Sequence, residues 1–406
     1  MVRQPTRAQV LDDLRARTAC GRKIVGVAVG SGLSARIAAE GHADFLLALS
    51  SGYFRQRGVS SLGAYLPSAN SNQLVMDMVV HDVLLRAAGT PVIFGLNATD
   101  PTIDLDGFLE DILRTGCIGI NNYPTVGLFD GEFRRALEES GLGYASEVEA
   151  IRLAHTKGMF TVGFVFTPDQ AEQMTRAGAD VVCCHLGLTV GGRLGAPKAQ
   201  SLEAARTHSQ KVLAAAVRIR PEILTLVYGG PIVAPGDMKW LYHNDVVQGY
   251  VGGSTFERVP QESIMRNRIL QFKLNQVDGD PNTPSISEAD RRDIVREVID
   301  YVSANYGGRV RLADLCAILG YSRSTISKLF TQTVGVSFRE YLSRYRLEVA
   351  MELIGKTDLT LDQIGRRVGF QDYSQFYRAF KKEFGSSPSR LRASANVPNS
   401  TPGDEA

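Results

Sequence analysis

The segment from Phe160 to Leu186 decides the fold of the N-terminal part of the chain. It begins with the apolar run FTVGFVF (160–166), continues through a helical pattern over Asp169–Ala177, and returns to a second apolar run, VVCCHL (181–186). Apolar runs without polar alternation are typical of strands covered on both faces, as in a parallel sheet. The segment therefore predicts a parallel βαβ unit.

The same pattern extends in both directions from this segment. Eight apolar runs occur between residues 24 and 251, at Ile24–Val29, Phe45–Leu49, Val92–Leu96, Ile118–Asn121, Phe160–Phe166, Val181–Leu186, Ile223–Tyr228 and Val246–Val251. Helical patterns separate them, for example at Leu105–Thr115, Glu147–Thr156, Asp169–Ala177, Leu202–Ile219 and Pro235–His243. Eight strand–helix units predict an α/β fold of the (β/α)8 TIM-barrel type, with a doubly wound open sheet as the alternative.

Composition places the chain among ordinary globular proteins. Its 406 residues are 44% hydrophobic and 22% charged, and this length predicts two or three domains. The sequence has no apolar run of membrane-spanning length and none behind its charged N-terminus, so we expect a cytoplasmic protein without membrane anchor or signal peptide. The five cysteines form no CxxC pair and no spaced His/Asp/Glu cluster occurs, so the sequence predicts neither metal nor cofactor.

A polar segment, DGDPNTPS (278–285), separates the strand–helix region from a purely helical one. We therefore predict a barrel domain over 1–277, a linker over 278–286, a helical domain over 287–393 and a disordered tail over 394–406. Capping signals predict that the first helix of the helical domain enters at about Glu288. Residues 286–395 hold 18 Lys and Arg against 13 Asp and Glu, a net charge of +5. Such a charge on one domain favours a nucleic-acid partner.

The helical region contains one unit twice. Its apolar and glycine positions recur 49 residues later in the pairs Leu312/Leu361, Leu315/Ile364, Leu319/Val368, Gly320/Gly369 and Tyr321/Phe370, and 50 residues later in Ile326/Phe376, Phe330/Phe380 and Gly335/Gly385. In each copy a short helix ends at a glycine and a second helix follows, which predicts an all-α double helix-turn-helix joined by a helix over about Phe338–Ile354. The second helix of such a unit enters the major groove of DNA. We expect DNA contacts from the outward polar residues Arg323, Ser324, Ser327, Lys328, Arg366, Arg367, Ser374, Gln375, Arg378, Lys381 and Lys382.

This region resembles the AraC/XylS family of bacterial transcription regulators, from about Leu312 to Arg392. The resemblance rests on Gly320-Tyr321-Ser322, Leu329-Phe330, Gly335-Val336-Ser337, Tyr341-Leu342, Arg346-Leu347, Ile364, Val368-Gly369-Phe370, Phe376, Phe380-Lys381-Lys382, Gly385 and Pro388-Ser389. It implies that the two recognition helices enter successive major grooves on one face of DNA, about 34 Å apart, at a separation set by the linking helix. The chain departs from the family at Ser324, where members often carry a larger residue.

Ligand sites in TIM barrels lie where the strands end, and the predicted loops there are rich in glycine and polar residues. Because glycines after strands seven and eight expose backbone N–H groups, we expect Gly229, Gly230, Gly253 and Ser254 to form a cup for an anion. The other ligand-binding candidates at the strand ends are Ser31, Ser51, Asn97, Asp100, Asn121 and His185. The candidates for catalysis are Glu147, His185 and Asp100; a hydrogen-bonded histidine and helix-capping carboxylates are the structural alternatives.

The barrel segment Ile24–Phe272 resembles the phosphoenolpyruvate hydrolase-like TIM-barrel proteins, also described as TIM-barrel signal transduction proteins. The resemblance rests on Gly32-Leu33-Ser34-Ala35, Thr99-Asp100-Pro101, Pro124-Thr125-Val126-Gly127-Leu128, Glu147-Val148-Glu149, Ala177-Gly178-Ala179-Asp180, His185-Leu186-Gly187-Leu188-Thr189, Gly229-Gly230-Pro231 and Glu257-Arg258. It implies a site for a small carbonyl or carboxylate compound that can carry a phosphate. The chain has Ser50-Ser51-Gly52-Tyr53 where the family tends to have Asn-Ser-Gly-Arg, and Tyr228-Gly229-Gly230-Pro231 where it has His-Gly-Gly-Pro. Losing an amide, a guanidinium and an imidazole weakens the case for catalysis more than the case for binding.

The sequence leaves more than one function open. The leading hypothesis is a transcription regulator that binds promoter DNA and whose barrel senses a small, anionic or phosphorylated metabolite. The alternatives are an active phosphoenolpyruvate hydrolase-like or lyase-type enzyme that also binds DNA, and an enzyme whose C-terminal domain is only an interaction module. The expected partners are double-stranded operator DNA, a small-molecule effector and, through the barrel, further copies of the chain.

Overall fold

The computed structural model describes residues 4–192, 194–196, 200–233, 235–242, 246–262, 264–265, 269, 288–319, 321–357 and 359–395. The chain divides into two compact units, Met1–Ser263 and Ile264–Ala406. The predicted linker lies outside the described residues, as do His243, Gly320 and residues 396–406 of the predicted tail; its first two residues, Ser394 and Ala395, are not disordered but end the last helix. Within the described residues, no helix is both long and apolar enough to cross a bilayer.

The first unit is a closed barrel of eight parallel strands, which excludes the open-sheet alternative. The strands follow one another around the barrel in chain order, and the last pairs with the first, with Gly249 opposite Ile24. They are β1 (Ile24–Val29), β2 (Phe45–Ala48), β3 (Val92–Gly95), β4 (Gly119–Asn121), β5 (Phe160–Val165), β6 (Val181–His185), β7 (Leu224–Tyr228) and β8 (Gly249–Gly252). All eight predicted strands are confirmed, with shifts of up to three residues at their ends.

Helices surround the barrel. They are α1 (Arg7–Ala19), α2 (Gly32–Glu40), α3 (Ser50–Gln56), α4 (Ser71–Met78), α5 (Leu105–Thr115), α6 (Gly131–Glu139), α7 (Tyr144–Thr156), α8 (Pro168–Arg176), α9 (Leu202–Ile219) and α10 (Pro235–Leu241). Helices α5 and α9 have their predicted bounds. The apolar periodicity does not predict α3, which is short and begins Ser-Ser-Gly, or α6, which buries none of its residues.

Large side chains fill the barrel interior. Phe45, Phe160 and Phe164 are fully buried there. Gly26 provides the space for one of them, because a Cβ at that position would lie 2.3 Å from the ring of Phe45. The barrel is therefore a packed core rather than a channel, as expected for eight strands.

Helix α1 covers the N-terminal end of the barrel. Its Val10 and Leu14 pack against the interior side chains. Its Arg7 donates to both oxygens of Asp180, which precedes β6, at 2.8 and 2.6 Å. These contacts occupy the end of the barrel opposite the predicted site.

Among its described residues, the second unit contains helices and no strands. Its helices are α11 (Glu288–Asn305), α12 (Leu312–Leu319), α13 (Arg323–Val334), α14 (Phe338–Lys356), α15 (Leu361–Arg367), α16 (Tyr373–Phe384) and α17 (Pro388–Ala395). Helix α11 begins at Glu288, as the sequence predicts. The pairs α12–α13 and α15–α16 are the two predicted helix-turn-helix units, and α14 is the helix that joins them.

Each helix-turn-helix unit has its own hydrophobic core, and α14 contributes to both. Phe338 and Leu342 pack in the core of the first unit. Leu347, Ala350 and Ile354 pack in the core of the second. The linking helix is thus a structural part of both units rather than a spacer between them.

The duplication extends beyond the two helix pairs. Buried positions of α11 recur 52 residues later in α14, in the pairs Val295/Leu347, Val298/Ala350 and Val302/Ile354. Each repeat therefore consists of a long helix, a short helix and a recognition helix. Sequence comparison at a fixed offset misses the long helices because the loop after α14 is shorter than the loop after α11.

The recognition helices α13 and α16 begin and end alike. Ser322 and Asp372 each accept a hydrogen bond from the backbone N–H three residues later, at 3.1 and 2.7 Å. Gly335 and Gly385 end the helices with φ of +83° and +69°, a conformation that favours glycine. Both recognition helices are therefore 12 residues long.

Candidate functional site

The barrel mouth, formed by the segments that follow the eight strands, holds a buried ion pair. Arg55 of α3 donates from Nε and Nη2 to one oxygen of Glu257, at 2.9 and 2.7 Å, and neither side chain is more than 2% exposed. The other oxygen of Glu257 accepts a hydrogen bond from the backbone N–H of Gly30 at 2.8 Å. The pair therefore joins the segments after β1, β2 and β8.

The guanidinium of Arg55 also holds its surroundings in place. It donates to the carbonyl of Ala28 at 2.8 Å and to the hydroxyl of Ser51 at 3.1 Å. Burial lowers the pKa of Arg55, but the charge of Glu257 and nearby tyrosines raise it more, so the guanidinium keeps its charge. A Cβ on Gly253 would lie 3.0 Å from both terminal nitrogens of Arg55. Ser51 and Gly253, both predicted to bind a ligand, thus lie next to the guanidinium of Arg55, which was not predicted from the sequence to be a site residue.

His185, at the end of β6, lies among aromatic rings. Its ring centre is 4.9 Å from that of Phe166, in a stacked arrangement, and 4.8 Å from that of Tyr228. Its Nδ1 accepts a hydrogen bond from the backbone N–H of Gly187 at 3.1 Å, which places the proton of the neutral ring on Nε2. Burial lowers the pKa of His185 to about 3. At neutral pH the side chain is therefore an uncharged hydrogen-bond donor at Nε2.

Near the mouth, Oδ1 of Asn121 is a buried polar atom with no hydrogen-bond partner among the described residues. Ile120 packs in the outer core, so strand alternation directs Asn121 towards the barrel interior. The ring of Tyr65 lies 5.6 Å from that of Tyr123, also in the interior cluster. Leaving buried polar atoms unpaired is costly, and such atoms are typical of sites that receive a ligand group or a water.

Glu147, a catalytic candidate, lies in the first turn of α7 and is 1% exposed. One of its oxygens accepts from Nδ2 of Asn122 at 2.5 Å, and the other from the backbone N–H of Val126 at 2.7 Å. Burial raises its pKa to about 7, although these hydrogen bonds act in the opposite direction. Asn122 in turn bonds to the backbone of Phe164 on both its side-chain atoms, at 2.6 and 3.1 Å. Glu147 therefore fixes the loop after β4 against β5.

Asp100 lies in a different place from the glycine loops. Its Oδ2 accepts from the side-chain amides of Asn70 and Asn72 at 2.7 and 3.0 Å, and its Oδ1 from Thr102. Burial raises its pKa, but these hydrogen bonds outweigh it and the pKa lies below its usual value. The four residues line a cavity of about 450 Å³ next to α4, which none of the predicted glycines lines. Asn97, another candidate, accepts from the Thr99 hydroxyl at 3.0 Å.

The glycines after β7 pack against the loop after β6. Gly229 and Gly230 have φ of +68° and +66°. The N–H of Gly230 donates to the carbonyl of Gly187 at 3.0 Å, so this donor of the predicted cup has an internal partner. Ser254 is buried and its carbonyl accepts from Val259 in the turn that carries the ion-paired glutamate.

The remaining candidate, Ser31, caps α2 by accepting from the backbone N–H of Ser34 at 3.2 Å. The structure therefore brings Ser51, Asn121, His185, Gly253 and Ser254 to the barrel mouth and gives several of the other candidates structural partners. Sequence reasoning missed Arg55, Glu257 and Tyr123. The available signal was a pair of opposite charges, Arg55 and Glu257, in the segments after the two strands that flank β1. Among the described residues, no three His, Cys, Asp or Glu side chains converge as metal ligands do.

The helix-turn-helix units present the predicted DNA-contacting residues to solvent. The apolar residues Ile326 and Phe330 of α13, and Phe376 and Phe380 of α16, are fully buried. The exposed residues are Arg323, Ser324, Ser327, Lys328, Arg366, Arg367, Ser374, Gln375, Arg378, Lys381 and Lys382. The division between inward and outward residues of both recognition helices is as the sequence predicts.

Some of these exposed residues have neighbours that hold them. The hydroxyl of Ser324 lies 2.8 Å from that of the capping Ser322. Arg366 pairs with Asp362, one turn earlier in α15, at 2.9 Å. Arg378 donates only to the carbonyl of Ser374, at 3.3 Å, among the contacts described. Its guanidinium therefore keeps most of its donors for another partner.

Comparison with known proteins gives a match for each unit. Residues 9–274 match the family described as phosphoenolpyruvate hydrolase-like, and residues 315–394 match a helix-turn-helix domain family. The "ToMV susceptible protein tm-1(GCR26)" of Solanum lycopersicum is 39% identical over 268 residues, which are 66% of this chain and 35% of that protein. The "Putative transcriptional regulatory protein y4pA" of Sinorhizobium fredii is 36% identical over 270 residues, 66% of this chain and 44% of that protein.

Among solved structures, a transcriptional regulator with an AraC-type DNA-binding domain from Chromobacterium violaceum is 26% identical, with a TM-score of 0.26, over 28% of this chain and 100% of that chain. The chain spans less than half the length of the two curated relatives. The family match covers well over half of the chain, from α1 to beyond β8. The chain belongs to the phosphoenolpyruvate hydrolase-like family, and a helix-turn-helix domain follows its barrel.

Proposed function

We propose that the protein is a transcription regulator that binds operator DNA through α13 and α16 and senses a small anionic metabolite at the barrel mouth. The observation that carries this proposal is the repetition of an exposed polar and basic helix face in two units whose apolar faces are buried. One such helix pair is compatible with an ordinary helical hairpin. Two pairs with matching caps, lengths and outward faces favour insertion into two successive major grooves.

Selection from a random pool of duplex DNA tests the DNA-binding half. The full chain should recover sequences with two half-sites about one helical turn apart, roughly 34 Å. The affinity for a recovered site should fall steeply with salt, with a slope of about −0.9 for each phosphate that a Lys or Arg contacts. Recovery of sequences without any common motif would contradict specific recognition.

The donors at the barrel mouth support the sensing half. Arg55 and Glu257 form a neutral pair, and the donors beside it are Nε2 of His185 and the hydroxyls of Tyr123 and Tyr228. Burial raises the pKa of both tyrosines, so their hydroxyls keep their protons. A phosphate or carboxylate has acceptors for all of these groups. Gly229, Gly253 and Ser254 remain candidates for the cup, with Ser51 and Asn121 beside them, whereas the N–H of Gly230 already bonds to the carbonyl of Gly187.

Thermal melting of the full chain with phosphoenolpyruvate, inorganic phosphate and uncharged glycerol tests this site. The anions should raise the melting temperature of the barrel, since a ligand that binds only the folded state stabilises it. Tyr228→Phe removes one donor and should reduce the rise. Tyr242→Phe, which changes a residue packed on the outer core, should leave the rise intact.

The absence of a rise with every anion would contradict the sensing proposal. A regulator also requires that the ligand binds two states with different affinity, so a stabilising anion should change the affinity for recovered DNA. Consumption of phosphoenolpyruvate at more than about one per second would instead favour the enzymatic alternative.

A further inference from the structure

One side chain connects the two helix-turn-helix units outside their recognition helices. Arg346, in the middle of α14, donates from Nε to the carbonyl of Tyr306 and from Nη2 to the carbonyl of Gly308, both at 2.8 Å. Both carbonyls belong to the loop between α11 and α12, in the first unit. The planar fork of a guanidinium can hold two separate carbonyls at once, whereas an ammonium acts as a point charge.

The same guanidinium lies against the turn of the second unit. It is 6.0 Å from the ring centre of Phe370, in the turn between α15 and α16. A Cβ on Gly369 would lie 2.5 Å from the carbonyl of Tyr306 and 2.7 Å from Nη2 of Arg346. The turn of the second unit therefore packs directly on the loop of the first, with Arg346 between them.

The loop of the first unit makes further close contacts with the second. A Cβ on Gly307 would lie 2.7 Å from the carbonyl of Arg367, at the end of α15. The ring of Tyr306 lies 5.4 Å from that of Tyr345 and packs against the cores of both units. The contact is thus a small interface rather than a single hydrogen bond.

We infer that Arg346 is a positioning residue that fixes the two recognition helices relative to each other and so restricts the protein to one half-site spacing in DNA. Arg346 lies between Leu342, which packs in the first core, and Leu347, which packs in the second. At this point the units are joined by α14 and by the interface around Tyr306 and Gly307, and Arg346 is the side chain that bonds across this interface and so limits bending or twisting about the helix. One base pair corresponds to about 3.4 Å along DNA and about 35° of rotation, so small movements would change the accepted spacing.

This inference rests on the proposed DNA-binding function. Its test is the same selection from random duplex DNA, carried out with the full chain and with Arg346→Ala and Arg346→Lys, reading the distance between the two recovered half-sites. The original chain should give one spacing. Arg346→Ala should spread the spacing by at least about one base pair in each direction and weaken binding to the original spacing on the order of tenfold, since the second contact loses its fixed geometry.

The control is Arg339→Ala, which removes an exposed charge from the same helix. It should keep the single spacing even if the affinity falls. Arg346→Lys keeps the charge and the aliphatic stem but can donate well to only one of the two carbonyls. It should therefore broaden the spacing less than alanine does. If circular dichroism shows that the alanine variant is unfolded, the lysine variant replaces it in the test. A single unchanged spacing in the folded variants would overturn the inference and assign the spacing to α14 and the remaining contacts of Tyr306 and Gly307. Failure of the original chain to recover paired half-sites would instead overturn the proposed DNA-binding function, and this inference with it.

Discussion

Arg55 and Glu257 form an ion pair that is closed to solvent at the barrel mouth, with Nη2 of the arginine 2.7 Å from Oε2 of the glutamate. Nearly every polar atom of the pair has a further partner: Ala28 and Ser51 for the arginine, Gly30 for the glutamate. Removing two charges from water is costly, and a buried pair is tolerated only when such partners complete it. The mouth is therefore sensitive to the loss of either charge.

Replacing Arg55 with methionine should lower the free energy of unfolding of the barrel by about 3–5 kcal/mol, because Glu257 would remain as a buried charge without its counter-ion. Urea unfolding of the full chain, followed by near-ultraviolet circular dichroism, measures this loss. The double variant Arg55→Met/Glu257→Leu should recover much of it, since both charges are then absent. If the double variant lost as much as the two single variants together, the two residues would not be energetically coupled.

Glu147 should make the barrel less stable as the pH rises from 5 to 8. Its pKa is about 7 in the folded chain and 4.5 in an unfolded one, so the folded state binds the proton more tightly. A carboxyl group with a raised pKa contributes stability below the unfolded value, and that stability is lost as the pH passes through the folded value. The expected contribution is about 2–3 kcal/mol over this range.

The comparison of the original chain with Glu147→Gln isolates this contribution, because all other titrating groups are shared. The difference in unfolding free energy between pH 5 and pH 8 should shrink in the variant by the stated amount. Equal pH dependence in both proteins would show that Glu147 titrates normally.

His185 should remain neutral from pH 8 down to pH 5, with its proton on Nε2. Burial lowers its pKa to about 3, and its Nδ1 is occupied as an acceptor. Nitrogen chemical shifts of selectively labelled histidine, assigned by comparison with His185→Gln, report both the charge and the tautomer. A titration midpoint near 6.5 or a proton on Nδ1 would contradict the arrangement around this ring.

Arg378→Ala should weaken binding to a recovered DNA site by about 1–3 kcal/mol and relax the base preference at one position, because this side chain lies where α16 would face base edges. Lys382→Ala, at the end of the same helix, should weaken specific and random DNA equally and reduce the salt slope by about one, as a phosphate contact does. Filter binding with both kinds of DNA separates the two effects. An equal loss on both DNAs for Arg378→Ala would reassign it to the backbone.

The fold could be predicted from the sequence because its signals are local. The eight strands are continuous apolar runs, and the two helix-turn-helix units carry the same glycines and apolar residues at nearly constant spacing. The equivalence of α11 and α14 could not be predicted, since only three buried positions carry it and the intervening loop differs in length. Helix α3 could not be predicted because Ser50–Gln56 lacks apolar periodicity. Its buried residues are Ser50, Ser51, Gly52 and Arg55, and Arg55 bonds to a residue far away in the chain.

The place of the candidate site could be predicted from the sequence, but the contacts among its side chains could not. The loop positions predicted its place, because strand ends meet at one end of a barrel whatever their sequence. The partners of each side chain depend on distances between segments far apart in the chain: Arg55 and Glu257 are separated by 202 residues. For the same reason Glu147 and Asp100 could not be recognised from the sequence as residues whose oxygens already have several donors.

Because α14 supplies buried side chains to both helix-turn-helix cores, the two units cannot lose structure separately. Unfolding of either half of this helix removes apolar partners from the core on that side and frays the helical hydrogen bonds of the other side. The recognition helices α13 and α16 should therefore exchange their amide hydrogens through one shared opening event. Cleavage of a single peptide bond near the middle of α14 would then disrupt both recognition helices at the same time. No partially active protein that binds a single groove would remain.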